Sequence, residues 1–140
     1  MDELIRRLEE TTEGGRELDF LIFEATHDFG EFFDSPVESW SRDEDGIYTI
    51  NTRDGFLHLG ATHAPNYTTS IDAALALIPK GMGRYIWAGE GAAQVTIGIL
   101  GWDWGPHISP KGKGEAKTEP LALCIAALRA HQATKDTGHE

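Results

Sequence analysis

Apolar residues recur at the three- and four-residue spacing of an α-helix in four segments of the chain. One covers the first ten residues, and a second begins near Arg16. In the second, Phe20 and Phe23 lie off the main apolar stripe, which predicts contacts on another side of that helix. A further segment, 119–131, follows the capping residue Thr118. The predicted core positions in these three are Leu4, Ile5, Leu8, Leu18, Leu21, Ile22, Ala25, Leu121, Cys124, Ile125 and Leu128.

The remaining helical segment, near 70–78, is bounded by clear start and stop residues. Thr69 and Asp72 have the spacing of a capping box, and Pro79 and Gly81 end the segment. None of its side chains has a chemical function, so the sequence predicts a helix that serves as scaffold. Its predicted buried positions are Ile71, Ala74, Leu75 and Ile78.

Between the helices the apolar period changes from 3.6 to 2, which is typical of strands. Residues 46–60 alternate on both sides of Asp54-Gly55, and residues 84–100 alternate around Gly89–Gly91, so each segment predicts a hairpin. Residues 29–46 are predicted to be a long connection, and residues 101–117, rich in Gly and Pro, a loop.

The predicted order of elements is therefore α-α-β-β-α-β-β-α. This order predicts an α+β fold in which an antiparallel sheet of about four strands is packed by helices, similar to an α/β/α sandwich. We expect one domain over residues 1–140, with 1–15 as a peripheral helical arm and 132–140 as a peripheral tail.

The net charge of −11 is concentrated in the first 60 residues, which hold sixteen Asp or Glu against five Arg. Such a chain repels a nucleic-acid backbone, so general DNA or RNA binding is not expected. Residues 80–117 are different, because five basic residues there exceed three acidic ones. A small anionic ligand is therefore still compatible with this part of the chain. No apolar run is long enough for a membrane span, and we expect a cytoplasmic protein with no membrane partner.

Motifs for catalysis or for a resident cofactor are lacking in the sequence. There is no Gly-x-Ser-x-Gly, no phosphate-binding Gly-x-x-x-x-Gly-Lys and no His-x-x-x-His spacing for a metal. The single cysteine, Cys124, lies between Leu123 and Ile125, which indicates a buried apolar residue rather than a nucleophile. We therefore expect a protein that is not an enzyme and has neither metal nor cofactor, with nucleotide degradation as the least favoured alternative.

The most informative group of residues lies in the predicted loop, where aromatic and basic side chains alternate with glycines. Aromatic faces stack bases, Lys and Arg bind phosphates, and a carboxylate can accept hydrogen bonds from ribose hydroxyls. The alternative is that the tryptophans cover an edge of the core while the lysines are merely solvated. The candidate ligand-binding residues are Trp102, Trp104, Arg84, Lys111, Lys113, Trp87, Asp103, His107 and Tyr67.

Five stretches of the chain carry a resemblance to a known family: "LIRRLE", "GGRELD", "YTTSIDAALALIPKG", "RYIWAGEGAAQVTIGIL" and "EPLALCIAALRA". Together they resemble the phage ABA sandwich domain family, small proteins of bacteriophages and prophages that mostly lack an assigned function. The resemblance covers roughly two thirds of the chain and departs from the family in 29–62. It implies a scaffold whose function lies in its loops.

The phage context implied by this resemblance leads to two functional hypotheses. In the first, the protein sequesters a small nucleotide-derived molecule in the infected host cytoplasm, such as an immune signal of the cyclic ADP-ribose or cyclic dinucleotide type. In the second, it is an acidic adaptor or inhibitor that binds a host or phage protein through Phe32, Phe33 and Trp40. A homo-oligomer, most simply a dimer, is expected because residues 20–40 hold more aromatics than one helix stripe can bury.

Overall fold

The protein has an α+β fold, seen in a computed structural model that describes residues 1–26, 36–59, 64–89, 91–101 and 107–137. Within these ranges the chain forms helices and antiparallel strands in the order that the hydrophobic pattern predicts. The elements are α1 (Asp2–Glu10), α2 (Arg16–Thr26), β1 (Val37–Arg42), β2 (Tyr48–Thr52), β3 (Gly55–Leu59), α3 (Ile71–Leu75), β4 (Gly83–Gly89), β5 (Ala92–Gly101), β6 (His107–Ala116) and α4 (Glu119–Thr137).

Both predicted hairpins are present, but each has a third strand that the sequence pattern missed. In place of one sheet of about four strands, the described residues form two three-stranded antiparallel sheets, β1-β2-β3 and β4-β5-β6. The added strand β1 lies in the segment predicted as a connection. Strand β6 lies in the segment predicted as a loop, so both of those predictions are wrong.

The hydrophobic pattern did not predict strand β6 because glycine replaces the apolar residues on its buried face. The Cα atoms of Gly112 and Gly114 face α4, and a Cβ on Gly112 would lie 2.5 Å from Ala130 N. A Cβ on Gly114 would lie 2.7 Å from Ala126 N. Only glycine allows the helix backbone to approach this closely, so alternation of Gly with Lys here encodes a strand under a helix.

Helix α4 is surrounded by other elements rather than buried along one stripe. It packs against β5, β6, α1 and α3. Thr118 Oγ1 accepts a hydrogen bond from Leu121 N at the start of the helix, as the sequence predicts. The residues with no exposed surface include both the predicted stripe and the alanines beside it: Leu121, Ala122, Leu123, Cys124, Ile125, Ala126, Ala127, Leu128 and Ala130.

The chain divides into two compact units, unit 1 with residues 1–19 and 66–140 and unit 2 with residues 20–65. The boundary between the units falls within α2. Helix α1, predicted as a peripheral arm, lies in unit 1 with Leu4, Ile5 and Leu8 buried. A single domain would require the two units to fold together, which the division itself does not test, so the single domain stays a prediction.

Unit 1 also contains a buried polar network that fixes the loop before α3. The Asp19 carboxylate Oδ1 accepts hydrogen bonds from Thr68 N at 2.8 Å and from Thr68 Oγ1 at 2.7 Å. Thr68 Oγ1 in turn accepts one from Gly15 N at 2.9 Å. Asp19 and Thr68 are both almost fully buried, and Arg16 Nη1 lies 3.1 Å from Asp19 Oδ2. Charge and hydrogen bonds together therefore compensate the burial of the carboxylate.

Helix α3 begins one residue later than predicted. Its N-cap is Ser70, whose side chain accepts a hydrogen bond from Ala73 N at 3.3 Å, so Thr69 is not the cap. Ile71, a predicted core residue, is exposed, whereas Ala74 and Leu77, which follows the helix, are buried. The segment is a helix with its own cap, as predicted, but its buried face is displaced.

Unit 2 is built around Tyr48, which is fully buried. The rings of Phe20 and Phe23 lie 6.2 Å and 5.7 Å from the ring of Tyr48, which confirms that α2 makes contacts through these phenylalanines. Tyr48 Oη donates a 2.8 Å hydrogen bond to Glu24 Oε2, and Arg42 Nε lies 3.0 Å from the same oxygen. Unit 2 thus has a charged pair inside an aromatic core.

Candidate functional site

The face of the β4-β5-β6 sheet that points away from α4 is here called the outer face. Strand alternation places one set of side chains on this face and the other set toward the helix. Over residues 93–97 of β5 and 112–116 of β6 the residues turned toward α4 are buried, while their alternating neighbours are intermediate or exposed. The outer face carries Tyr85, Trp87, Gln94, Thr96, Lys113 and Glu115. Lys111 is exposed and lies at the bulge of β6, where the register gives it no partner on β5.

The register of the strands aligns these side chains in two rows across the sheet. Tyr85 is opposite Thr96, and Thr96 is opposite Lys113. The second row runs from Trp87 through Gln94 to Glu115. Neighbouring strands lie about 4.8 Å apart, so the aromatic strand β4 and the lysine strand β6 are separated by about 10 Å. Each row therefore has a ring at one end, a hydrogen-bonding side chain in the middle and a charge at the other end.

The two aromatic side chains of the outer face are unusually open to solvent. Tyr85 is 64% exposed and Trp87 is 53% exposed. The indole of Trp87 lies back over Gly89, because a Cβ at Gly89 would meet atoms of that ring. Because the Trp87 ring lies against Gly89, two residues along the same strand, it presents its other face to solvent. Exposed rings in fixed positions are suited to stacking against a planar ligand.

A depression of about 340 Å³ adjoins the lysine end of this face. The side chains of Lys113 and Glu115 lie along it together with Gln94 and Thr96, and Arg129 and Glu9 also line it. Arg129 Nη1 donates a 2.8 Å hydrogen bond to the carbonyl oxygen of Lys113, and Arg129 Nη2 lies 3.0 Å from Glu9 Oε1. Ligand pockets in proteins start at about this volume. The depression is polar, with positive and negative groups side by side.

No family model, curated protein or solved structure matches this chain. The resemblance to phage ABA sandwich proteins therefore stays a prediction, and the site has to be judged by its own geometry. Over the described ranges, no helix is both long and apolar enough to cross a membrane. In the same ranges, no three His, Cys, Asp or Glu side chains come together in a way that could hold a metal ion.

The structure brings two of the residues predicted to bind a ligand, Trp87 and Lys113, onto the outer face, and Lys111 lies beside them at the bulge of β6. The lysines, however, extend from a paired strand, so the prediction of a glycine-rich loop that closes over a ligand is wrong. His107 begins β6 at the far end of that strand. The predicted residues Trp102, Asp103 and Trp104 lie outside the described residues.

Arg84 does not join this group. It is opposite Ile97, a buried residue turned toward α4, so it projects from the other side of β4 than Tyr85 and Trp87 do. A one-residue step along a strand reverses the face, and the sequence prediction had grouped neighbours without this alternation. Arg84 is exposed at the edge of the sheet but points away from the lysines.

Tyr67 is buried and therefore cannot stack a ligand. Its carbonyl oxygen accepts a 3.2 Å hydrogen bond from Cys124 Sγ. Burial raises the pKa of the Tyr67 phenol to about 12, and the nearby Cys124 and Asp19 reinforce this shift. Burial also raises the pKa of the Cys124 thiol, with a further contribution from Asp19. Both groups stay protonated at neutral pH, which agrees with Cys124 as a buried apolar residue.

Two polar residues between the aromatics and the lysines were missed by sequence reasoning. Gln94 and Thr96 are the central members of the two rows. Their signal is present in the sequence "AAQVTIG", where polar residues alternate with apolar ones in the second strand of the hairpin. Alternation identifies the outward side of β5, but only the pairing register shows which residues of β4 and β6 lie beside them.

Proposed function

We propose that the outer face binds a small nucleotide-derived molecule and holds it without chemical change. The observation that carries this proposal is the row Tyr85–Thr96–Lys113, with Trp87 and Lys111 next to it. Stacking on an exposed ring contributes about 1–3 kcal/mol per base. Lysine supplies charge-assisted hydrogen bonds to phosphate oxygens. The separation of about 10 Å between β4 and β6 is comparable with the length of a mononucleotide.

The charge distribution favours this face over others for an anion. Unit 2 has nine acidic residues against two arginines and no lysine, so an anionic ligand is repelled there. On the outer face Lys113 offsets Glu115, and Lys111 at the neighbouring bulge of β6 adds one positive charge. Because electrostatic interactions between exposed groups are screened within about 8 Å at physiological salt, the local surplus matters more than the net charge of −11.

The biological role we infer is sequestration of a host immune signal of the cyclic ADP-ribose or cyclic dinucleotide type by a phage protein in the host cytoplasm. This step rests on the resemblance to phage proteins and on the aromatic and basic side chains of the outer face. A binding protein need only hold the signal at low free concentration, and a stacking platform with cations is sufficient for that. A homodimer is part of the same proposal.

The sequence favours a homodimer because residues 20–40 hold many aromatics, and the structure weakens this argument. Phe20 and Phe23 are buried inside unit 2.

The direct test is equilibrium dialysis of the purified protein against cyclic ADP-ribose and against cyclic di-AMP. Binding should deplete the nucleotide from solution, and denaturation should release it chemically intact, which chromatography can verify. A degraded product would instead indicate an enzyme. The bound ligand should also raise the melting temperature, since it stabilises the fold by RT ln(1 + [L]/Kd). No binding by either class of nucleotide would contradict the proposal.

Substitutions on the outer face locate the site. Trp87→Ala should weaken binding by about 1–3 kcal/mol while changing stability little, because the ring is more than half exposed. Lys113→Ala should weaken binding less, and its effect should shrink at high salt. The matched controls are Phe56→Ala and Lys80→Ala, which remove an exposed aromatic and an exposed cation elsewhere. Equal losses in the controls would mean that the outer face is not the site.

The adaptor function has one observation in its favour, which lies in unit 2. Trp40 and Leu57 are both partly exposed, and they lie on either side of the buried Ile50 in one row of the β1-β2-β3 sheet. The surrounding acidic residues would suit a basic partner protein. Phe32 and Phe33 lie outside the described residues. A pull-down that loses one specific partner on Trp40→Ala, with no nucleotide bound by the wild type, would favour this alternative.

A further inference from the structure

Among the described residues, strands β4 and β6 form the two edges of their sheet, and only β6 has features that protect an edge against pairing with another strand. Edges are normally protected by proline, lysine, bulges or a covering group. Strand β6 has all of these, with Pro110, two lysines, a bulge opposite Ile97/Gly98, and Arg129 bound to its backbone. Strand β4 has no proline, a regular register with β5 and a single charge, Arg84.

The sequence of β4 is nearly symmetric about its centre, and only Arg84 and Ala88 differ in residue class at mirrored positions. In "GRYIWAG" the glycines are at the two ends, the aromatics Tyr85 and Trp87 flank the centre, and Ile86 is the centre itself. An antiparallel partner of identical sequence would place Tyr85 opposite Trp87 twice and Ile86 opposite itself. Arg84 would lie opposite Ala88, so no like charges would face each other. The strand is thus complementary to a second copy of itself.

The directions of the backbone hydrogen-bonding groups of β4 agree with a pairing centred on Ile86. Gly89 pairs with Ala92 across a two-residue connection, which is possible only for the hydrogen-bonded kind of antiparallel pair. Since the two kinds alternate, the backbone N–H and C=O groups of Arg84, Ile86 and Ala88 point away from β5. Within the described residues no strand pairs with this edge of β4. A two-fold axis at Ile86 would give all three residues hydrogen-bonding partners.

We propose that two copies of the protein pair through β4, antiparallel and centred on Ile86, to form one six-stranded sheet. The partner is a second copy rather than an unrelated extended peptide because five of the seven positions mirror the same residue class, and the other two place Arg84 opposite the uncharged Ala88. Such a contact is isologous and closes after two subunits. The pairing also lies in the segment 80–117, where basic residues exceed acidic ones, so the acidic surplus of the chain opposes it least.

The pairing would enlarge the aromatic surface of the outer face. Tyr85 of one copy and Trp87 of the other form a non-hydrogen-bonded pair, with Cα atoms about 4.5 Å apart and side chains on the same face. Four rings would then lie at the centre of the sheet, with Lys111 and Lys113 of each copy on either side. This consequence, unlike the pairing itself, rests on the proposed function, and it suits a ligand that has two bases.

The test compares two substitutions of Ala88, which is exposed and outside the proposed site. Ala88→Lys places a lysine opposite Arg84 of the other copy at two positions, and Ala88→Glu places a carboxylate there. Sedimentation equilibrium without ligand should show a wild-type dimer over a concentration series. Ala88→Lys should raise its Kd about tenfold and Ala88→Glu should leave it equal or lower. Ile86→Pro, which removes an outward N–H, should give a monomer.

The outcomes separate this inference from the proposed function. A wild-type monomer at every concentration, or a dimer that responds equally to lysine and glutamate at position 88, would overturn the pairing whatever the protein binds. A dimer with the expected charge response that binds neither cyclic ADP-ribose nor cyclic di-AMP would confirm the pairing and remove the proposed ligand. A monomer that captures a separate strand-forming peptide at β4 would also overturn it.

Discussion

Units 1 and 2 both combine a three-stranded antiparallel sheet with helix, but their cores are held together in opposite ways. In unit 1 the backbone of α4 lies directly on β6, with Gly112 and Gly114 facing Ala126 and Ala130. In unit 2 the core is a large side chain, Tyr48, ringed by aromatics and hydrogen-bonded to the ion-paired Glu24.

Unit 1 is therefore sensitive to added volume and unit 2 to lost charge. A core made by close backbone approach has no space for even one methyl group. A core with an enclosed ion pair depends on both partners, because removing one leaves the other buried and uncompensated. The difference also explains where ligand binding is expected. A rigid sheet fixed from behind by α4 can hold side chains on its outer face in constant positions.

Gly112→Ala should have the largest effect of the changes considered. The new methyl group would lie 2.5 Å from Ala130 N and meet Ala126 O, so the helix has to move away from the sheet. We expect a loss of about 3 kcal/mol in the free energy of unfolding, measured by urea denaturation.

The matched control is Gly15→Ala, because a Cβ there meets no atom within 4 Å. Gly15→Ala should change stability by less than about 0.5 kcal/mol. If both glycine variants lose the same amount, close packing of α4 on β6 is not what holds unit 1 together.

Glu24→Gln should be the corresponding change for unit 2. The amide can still accept the Tyr48 hydroxyl, but it cannot neutralise Arg42, whose side chain is only 17% exposed. We expect a loss of about 2 kcal/mol in the free energy of unfolding. The control in unit 1 is Glu9→Gln, where the side chains of Glu9 and Arg129 are 45% and 39% exposed. That exposed pair should contribute less than about 1 kcal/mol.

The same two variants test the expectation of one domain. If the units unfold together, Gly112→Ala and Glu24→Gln each shift a single transition seen by far-UV and near-UV circular dichroism. Two separate transitions, with each variant moving only one, would mean that unit 1 and unit 2 are independent domains.

The sequence predicted the elements whose buried positions are marked by regularly spaced apolar side chains. It missed strands that lack such a pattern. Helices α1 and α4 have apolar residues at regular spacing, so their buried positions were predicted correctly. Strand β6 buries Gly112 and Gly114, which look like loop residues unless the position of α4 is known. Strand β1 has few apolar residues, since it contributes Arg42 to an ion pair inside unit 2. Neither feature is local, so no local pattern could identify these strands.

For the candidate site, the sequence likewise identified individual residues but not how they are aligned across the strands. Trp87, Lys111 and Lys113 were identified because they lie in 80–117, where basic residues exceed acidic ones. Their alignment through Thr96, and the exclusion of Arg84, depend on strand register. Register is set by pairing between distant segments.

Raising the pH should weaken unit 1 through its buried phenol. The folded state keeps Tyr67 protonated up to a pKa of about 12, whereas the unfolded state releases the proton near the model-peptide value of 10.0. Stability from this group is therefore complete below pH 10 and falls as the pH rises toward 12. At pH 11 the loss is about 1.4 kcal/mol. The raised pKa of the Cys124 thiol acts in the same direction.

Urea denaturation of Tyr67→Phe between pH 9 and 11.5 checks this, since the variant should show a smaller decline with pH than the wild type. Tyr85→Phe removes an exposed phenol and serves as the control. If Tyr67→Phe declines as steeply as the wild type, ionisation of Tyr67 does not contribute to alkaline unfolding.

The smallest effect concerns the start of α3, where sequence and structure name different capping residues. Ser70 Oγ accepts the hydrogen bond from Ala73 N, while Thr69 is exposed and caps nothing. Ser70→Ala should lower the free energy of unfolding by about 1 kcal/mol, the usual contribution of an N-cap, and Thr69→Ala should change it by less than about 0.5 kcal/mol. Urea denaturation of the two single variants decides between them. The reverse ranking would mean that Thr69, as the sequence predicts, and not Ser70 caps α3. Equal and negligible losses would mean that packing on α4, rather than either cap, determines where α3 begins.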